Sequence, residues 1–199
     1  MGRKALDKPR KALSPKVEAW VRELYLNLQD KDLAKLTLDE LAVLVNKSKS
    51  TIYSYFTTKE EIYRTCLELV LQDMEPAIYV ELPEDCTMES LYGNALIKIS
   101  AGINGMSIHF LSQIQSQFPA VWQVVEAFID RLIDSFHMIY ARGMESGEFH
   151  TFNTDLLMAM DRHFVLSIIT DTSRFDKHKL SLNDLVTEYL ELRIRALRR

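Results

Sequence analysis

Residues Thr37 to Glu60 read TLDELAVLVNKSKSTIYSYFTTKE, and this stretch decides the fold. Thr37 and Glu40 have the spacing of a capping box, in which each side chain satisfies a free backbone amide of the other residue at the start of a helix. Apolar residues then recur at helical spacing and give a narrow stripe for burial: Leu38, Leu41, Ala42 and Val45. The sequence therefore predicts a short helix over 38–45.

A second short helix follows after a sharp turn. Asn46 tolerates a positive φ better than most residues other than glycine, so it can end one helix and redirect the chain. Ser48 is a favourable N-cap residue for a helix over 49–56. Thr58 and Glu61 repeat the capping-box spacing and predict the start of another helix. The three predicted helices are thus separated by only a few residues.

The helix over 49–56 is too polar to be buried on all sides. Ile52 and Phe56 lie one turn apart and are placed to face inward. Its other side chains are small, hydroxylated or basic: Lys49, Ser50, Thr51, Tyr53, Ser54 and Tyr55. Hydroxyl and ammonium groups bind phosphate oxygens, and a small side chain lets a helix enter the major groove closely. The pattern favours a helix-turn-helix that binds DNA; a small helical subdomain with an ordinary polar face is the alternative.

The stretch resembles the DNA-binding signature of the tetracycline-repressor (TetR) type of transcriptional regulators. The matching residues are Thr37, Leu41, Ala42, Ser48, Lys49, Thr51, Ile52, Tyr53, Tyr55, Phe56, Thr58, Lys59 and Glu60. The sequence departs from that signature at three positions, with Asn46 for the turn glycine, Lys47 for an apolar residue and Ser50 for a glycine. A weaker match, MESGEFHTFN at 144–153, resembles the link before the last two helices of that family.

The resemblance implies that the helix from Lys49 reads the major groove of a palindromic operator. The residues then expected to contact DNA are Thr37, Lys47, Ser48, Lys49, Ser50, Thr51, Tyr53, Ser54, Tyr55 and Lys59. Lys59 is expected to contact a phosphate because it lies in the first turn of its helix, where free amides already favour an anion. Tyr53 and Tyr55 are expected to donate their hydroxyls to phosphates.

The charge distribution agrees with a DNA-binding N-terminus. The net charge of −4 argues by itself against a nucleic-acid binder, but residues 1–60 hold twelve basic and eight acidic side chains, while the remainder holds twelve and twenty. Residues 1–13 carry five basic side chains and one acidic one and predict a flexible arm. Contact of this arm with phosphates or a minor groove, and a solubilising tail, are alternatives.

The apolar periodicity predicts an all-α chain. Ser14 and Pro15 are favourable as N-cap and first-turn residues. Predicted helices cover 15–29, 38–45, 49–56, 59–75, 88–102, 106–117, 119–145, 154–171 and 182–197, with Pro76 and residues 82–87 ending the fourth. We therefore expect a helix-turn-helix domain over 14–58 and a helical regulatory and dimerisation domain over 59–199. The sequence contains no apolar run of membrane-spanning length and no signal-peptide core, and two cysteines without a disulfide framework suit a cytoplasmic protein.

The second predicted domain is rich in methionine and aromatic residues. Such residues at helical spacing more often fill a core, but a bundle of five helices also offers a cavity, and methionine adapts to varied ligands. A small, largely apolar effector is therefore expected, with a dry core as the alternative. The candidate effector-binding residues are Tyr92, Met106, His109, Phe110, Gln113, Trp122, Phe128 and Phe164.

The last two predicted helices carry long apolar faces that would close a four-helix bundle in a homodimer. The candidate interface residues are Leu156, Met160, Phe164, Leu185, Tyr189 and Leu192. The alternative is that both helices pack only within their own chain.

The sequence offers no motif for catalysis, a cofactor or a metal. It has no glycine-rich phosphate loop, no His-x-x-x-His and no nucleophile elbow. Asp161, Arg162 and His163 are adjacent on one helix, so they point in different directions and do not form a site together. We therefore expect a ligand-responsive DNA-binding regulator, acting as a repressor, and not an enzyme. The alternative is a DNA-independent dimeric helical interaction protein.

Overall fold

The computed structural model describes residues 10–78, 86–170 and 180–199. Its described helices are α1 Pro15–Asn27, α2 Leu38–Leu44, α3 Lys49–Tyr55, α4 Lys59–Ile78, α5 Met88–Ile103, α6 Ile108–Gln117, α7 Pro119–Glu145, α8 Thr154–Thr170 and α9 Leu182–Leu197. Within those ranges the one β-pairing is an isolated antiparallel bridge between Phe149 and Arg198. The all-α prediction is confirmed. No helix in the described part of the chain is long and apolar enough to cross a membrane.

The predicted helices are confirmed to within a few residues at their ends, with one correction. Helix α4 does not end before Pro76 but continues to Ile78. A proline lacks the amide that would bond the carbonyl four residues earlier, and its ring crowds that carbonyl, and the helix ends two residues after it. The carbonyl of Pro76 accepts a hydrogen bond from Lys98 Nζ on α5 at 2.8 Å. The predictions for residues 1–9, 82–85 and 171–179 lie outside the described residues.

Helices α1, α2 and α3 share one small core. Leu24, Leu41 and Ile52 are completely buried, one from each helix. The Trp20 ring meets the Phe56 ring edge-on, with centroids 5.9 Å apart. The pattern of apolar residues on the short helices is thus sufficient to bury one face of each and leave the other free.

Helix α4 connects this core to the remaining helices by packing against α1, α5 and α7. At one crossing α4 and α5 approach so closely that a Cβ on Gly102 would lie 2.1 Å from the Cγ atom of Met74. The buried residues form one continuous apolar cluster from α1 to α9. The two predicted domains therefore share a core across α4.

A second connection runs through the loop between α1 and α2. The side-chain amide of Gln113 on α6 accepts from the Leu33 backbone N–H and donates to the Lys31 carbonyl, both at 2.8 Å. Ser107, at the start of α6, donates its backbone N–H to the Gln29 side chain and its hydroxyl to the Gln29 carbonyl. The helix α6 thus holds the loop that leads into the helix-turn-helix.

Candidate nucleic-acid interface and internal cavity

The turn between α2 and α3 is built as the sequence predicts. Thr37 and Glu40 form the capping box at the start of α2. Asn46 has a φ of 53°, in the left-handed region. The Ser48 hydroxyl accepts a hydrogen bond from the Thr51 backbone N–H at 3.1 Å and caps α3. Because the direction of α3 depends on this turn and cap, the orientation of its outward face follows from local sequence.

Three side chains of α3 are exposed, although the Ser50 hydroxyl shares a hydrogen bond with the Ser48 hydroxyl at 2.8 Å. Lys49 and Ser50 are exposed in its first turn, and Tyr53 is 46% exposed one turn later. The Lys49 ammonium pairs with Asp39 on α2, and this hydrogen bond raises the pKa of Lys49, so the side chain stays positively charged. These residues offer a charge, a small hydroxyl and a phenol on one accessible surface, which suits phosphate and base-edge contacts.

The side chains of the other predicted contact residues on α3 already form contacts within the chain. Thr51 shares a hydrogen bond with the Ser48 hydroxyl at 2.8 Å, and Ser54 donates to the Thr51 carbonyl at 2.7 Å. Tyr55 does not project outward as expected, because its ring packs edge-on against Trp20 at 6.4 Å and is only partly exposed. Tyr55 therefore supports the core of the helix-turn-helix more than its surface.

Two further predicted DNA contacts flank α3. The Thr37 hydroxyl donates to Glu40 at 2.8 Å as part of the capping box, although Thr37 itself is exposed. Lys47 is half-buried in the turn, and its backbone N–H donates to the Ala42 carbonyl at 2.9 Å. Lys47 lies two residues before α3, whereas Thr37 lies at the start of α2.

Lys59 is placed differently from the expectation. Its ammonium donates to the backbone carbonyls of Leu33, Ala34 and Leu36, at 3.0, 2.5 and 3.2 Å. An ammonium has three N–H donors, so the group that was expected to meet a phosphate is already satisfied within the chain. The correction follows from tertiary structure, since the loop 31–36 is distant in sequence and local pattern gives no sign of it.

Arg10 is a residue that sequence reasoning did not single out individually. Its guanidinium donates to the Tyr53 carbonyl at 2.5 Å, and the neighbouring Lys11 backbone N–H donates to the Ser54 carbonyl at 3.2 Å. The last carbonyls of a helix have no partner within the helix. The described end of the basic arm therefore caps the C-terminus of α3. The basic composition of residues 1–13 was the only signal for this role.

A cavity of about 90 Å³ lies among α4 to α9. Its wall is almost entirely apolar and includes three of the eight predicted effector-binding residues, Met106, Phe128 and Phe164. Helices α4 and α6, which bind the α1–α2 loop, contribute Met74 and Leu111 to the same wall. The cavity is thus in contact with both elements that connect the two parts of the molecule.

The other five predicted effector-binding residues lie elsewhere. Phe110 packs edge-on against Tyr25 at 5.4 Å, and Trp122 is buried in the core. His109 is exposed. Gln113 holds the α1–α2 loop, as described above. Tyr92 is completely buried against the Phe136 ring at 5.0 Å. Helical spacing could not tell which helix each of these residues would meet, or that His109 would be exposed.

A buried polar cluster lies at one part of the cavity wall. Asp161 of α8 is 4% exposed and accepts hydrogen bonds from Tyr140 of α7 at 2.9 Å and from Tyr189 and Arg193 of α9, both at 2.5 Å. Burial and the neighbouring Tyr92 and Asp161 raise the pKa of Tyr140, so its hydroxyl stays protonated and donates. The Tyr189 ring stacks on Phe164 with centroids 3.8 Å apart.

This cluster was missed because its members come from three helices. Arg162 and Asp161 do point in different directions, as predicted, and Arg162 pairs with Asp130 at the surface at 2.7 Å. The i, i+4 spacing of Tyr189 and Arg193 was visible in the sequence, but nothing there linked the pair to Asp161.

The predicted dimer-interface residues divide into two groups. Leu156, Met160 and Leu192 are 60%, 51% and 61% exposed. Phe164, Leu185 and Tyr189 are partly buried against the core of their own chain. An outward apolar surface therefore exists on α8 and α9, and it is narrower than the sequence suggested.

No protein-family model and no curated protein matches the sequence. Solved structures do share the architecture. PfmR of Thermus thermophilus, a TetR-family transcriptional regulator, matches with a TM-score of 0.61 and 22% identity over 90% of this chain and 99% of its own. A tetR-family regulatory protein from Rhodococcus RHA1 matches with a TM-score of 0.67 and 18% identity over 93% and 98%. FadR of Bacillus subtilis, in complex with stearoyl-CoA, matches with a TM-score of 0.62 and 18% identity over 90% and 99%.

These likenesses extend over at least 90% of this chain. The N-terminal unit, the connecting helix α4 and the helical bundle behind it are present in the described residues. At identities of 22% or less, the comparison shows the fold alone. The chain has the fold of the TetR-family transcriptional regulators.

Proposed function

We propose that this chain is a ligand-responsive DNA-binding transcriptional regulator of the cytoplasm, a repressor that binds a palindromic operator as a homodimer. The observation that carries the proposal is the α2–turn–α3 unit. It presents Lys49, Ser50 and Tyr53 outward from α3, while Ile52 and Phe56 fix the helix from behind. A helix presented in this way can enter the major groove with its first turn toward the bases.

The contacts that we assign to DNA follow from exposure. Ser50 and Lys49 lie in the first turn of α3 and are assigned to base edges or nearby phosphates. Tyr53 and Lys47 are assigned to the phosphate backbone. Lys59 and Tyr55 are assigned to holding the unit together, because their polar or aromatic groups already have partners within the chain.

The exposed apolar residues of α8 and α9 support a homodimer. Two copies of this surface would form a four-helix bundle and bury Leu156, Met160 and Leu192. A dimer presents two copies of α3, which suits two half-sites related by two-fold symmetry.

The cavity supports regulation by a small effector. Its volume of about 90 Å³ is below the roughly 150 Å³ of an engineered apolar cavity that holds benzene. A ligand larger than the cavity would displace residues of its wall, and Met74 of α4 and Leu111 of α6 are among them, so we propose that it shifts one of these helices. Either movement changes the separation of the two α3 helices in a dimer, and a coupling of about 1–3 kcal/mol gives a roughly 5–150-fold change in DNA affinity.

Selection of bound duplexes from a random-sequence pool tests the DNA-binding proposal. We expect enrichment of a palindrome, two chains per duplex, and an affinity that falls with a log–log salt slope of about −0.9 per neutralised phosphate. Ser50→Leu, which adds bulk on the outward face of α3, should abolish selection. Ser116→Leu on the exposed surface of α6 is the matched control and should leave it intact. Failure to enrich any sequence, with no binding at moderate salt, would favour the DNA-independent interaction protein instead.

A further inference from the structure

Asp39 places a negative charge beside the first turn of α3. Its carboxylate, on α2, accepts a hydrogen bond from the Lys49 ammonium. The side chain of Asp39 is 44% exposed and that of Lys49 is 67% exposed, so the pair lies on the accessible surface of the α2–turn–α3 unit. Residues 37–56 contain two acidic and two basic side chains, so this unit has no net charge of its own. The positive charge that binds phosphates is therefore offset at the first turn of α3.

This offset does not depend on a strong ion pair. An exposed ion pair adds little stability, so the contact between Lys49 and Asp39 can open at small cost. Only residues 45–48 separate α2 from α3, and the two side chains remain neighbours when the contact opens. Charges closer than the Debye length, about 10 Å at 0.1 M salt, still act on each other. A phosphate near Lys49 would thus be attracted by the ammonium and repelled by the carboxylate.

The hydrogen-bonding capacity of Lys49 survives the loss of its net charge. An ammonium has three N–H donors, and one of them meets Asp39. The other two can face a base edge. Guanine presents two uncharged acceptors in the major groove, O6 and N7, and lysine is among the side chains that bind them. A neighbouring carboxylate therefore weakens the attraction of Lys49 to a phosphate much more than its hydrogen bonds to guanine.

We propose that Asp39 is a specificity-determining residue, which neutralises Lys49 and so directs this side chain to guanine and away from phosphates. Asp39 acts through Lys49 as a positioning residue and needs no contact of its own with DNA. The inference rests on the proposed function, which assigns Lys49 to base edges or phosphates alike. Each half-site of the operator should then contain a guanine at one fixed position, facing the first turn of α3.

Asp39→Asn separates the charge of this residue from its shape, because the amide oxygen still accepts a hydrogen bond but does not offset the ammonium. Binding of the full chain to a random-sequence duplex at about 50 mM salt should tighten roughly tenfold. The log–log salt slope should steepen by about 0.9 per chain, because each Lys49 then neutralises a phosphate. The ratio of operator affinity to random-duplex affinity should fall by a similar factor. Competition titrations at several salt concentrations measure these quantities, and an unchanged affinity and slope would overturn the proposal.

Asp130→Asn is the matched control. Asp130 is 51% exposed and pairs with Arg162 between two helices, as Asp39 pairs with Lys49, but it lies on α7. The control removes the same charge and should change neither the salt slope nor the affinity ratio. Asp39→Glu keeps the carboxylate and should behave as the unaltered chain. An equal effect of Asp130→Asn would assign the change to the net charge of the chain and overturn the role of Asp39.

Sequence selection tests Lys49 as the residue that reads guanine. Asp39→Asn combined with Lys49→Met keeps the net charge of the chain, so the salt slope should remain, but the selected half-sites should no longer require the guanine. A guanine requirement that survives in this double variant would overturn the assignment to Lys49. A palindrome without a fixed guanine, enriched by the unaltered chain, contradicts this inference alone. An unaltered chain that enriches no sequence contradicts the proposed function together with the inference.

Discussion

Lys59 joins the loop before α2 to the start of α4. Its ammonium satisfies three carbonyls of the loop before α2, and the Tyr63 hydroxyl donates to the Leu33 carbonyl at 3.0 Å as well. The loop fixes where α2 begins, and α2 fixes α3 through the turn at Asn46. The position of the outward face of α3 therefore depends on a residue that lies behind it.

Lys59→Met should lower the free energy of unfolding by about 1–3 kcal/mol, because carbonyls of the loop lose their donor. The salt slope of operator binding should not change, since no phosphate contact is lost. Lys35→Met is the matched control, because the Lys35 side chain is 86% exposed and pairs only with Asp32 at the surface. Denaturant unfolding and binding at several salt concentrations measure both quantities. A salt slope of operator binding reduced by about 1, with unchanged stability, would show instead that Lys59 contacts a phosphate.

Substitutions of the two tyrosines of α3 should differ in their effect on operator binding. Tyr53→Phe should weaken operator binding by about 1 kcal/mol and leave stability unchanged, because Tyr53 is exposed and its hydroxyl is free to meet a phosphate. Tyr55→Phe should change operator binding little, because its ring packs on Trp20. Fluorescence anisotropy with a labelled operator checks both variants. A loss confined to Tyr55→Phe would mean that α3 lies on DNA in another orientation.

At the scale of elements, the crossing of α4 and α5 is the tightest feature of the connection between the two parts of the molecule. Met74 lies over Gly102 and also lines the cavity. Any side chain on residue 102 must move Met74, either into the cavity or away with α4. The crossing therefore joins the state of the cavity to the position of the helix that leads to α3.

Gly102→Ala should lower stability by about 1–3 kcal/mol through overpacking. Adding Met74→Ala should remove most of that penalty, so the two changes should be strongly non-additive. Gly93→Ala on the same helix is the control, because nothing lies within 4 Å of its Cβ position. That control should raise stability by about 0.5–1 kcal/mol. Thermal and denaturant unfolding of Gly102→Ala, Met74→Ala, the double variant and the Gly93→Ala control test this, and additive losses would show that the two residues do not share the crossing.

The elements were largely predictable, and particular residues show why. The caps at Thr37, Ser48 and Ser181 and the positive φ of Asn46 depend on neighbouring residues, so sequence was sufficient to locate the helix starts. The prediction that α4 ends before Pro76 was wrong by three residues, because the helix includes the proline and the two residues after it. The partners of Lys59, Gln113 and Asp161 come from distant parts of the chain, and local pattern contains no information on them.

The whole molecule should be a dimer through the outward surface of α8 and α9. Leu192→Glu combined with Met160→Glu should give a folded monomer, because two charges would be buried in a symmetric interface. Ile97→Glu is the control, since Ile97 is equally exposed but lies on α5. Sedimentation equilibrium at micromolar concentration measures the mass. An unaltered chain that sediments as a monomer, or a double variant that remains a dimer, would contradict this interface.

The hydrogen bonds from α6 and α4 to the α1–α2 loop have a consequence for the order in which the protein folds during its synthesis. When residue 58 has left the ribosome, the groups that satisfy the backbone at Lys31 and Leu33 have not yet been made: Lys59, Tyr63 and Gln113. The loop between the nascent N-terminal helices would thus be fully hydrogen-bonded only after roughly half of the chain has been synthesised. Because the last of these partners is Gln113, the loop would be fully paired before α8 and α9, which complete the wall of the cavity, have been made.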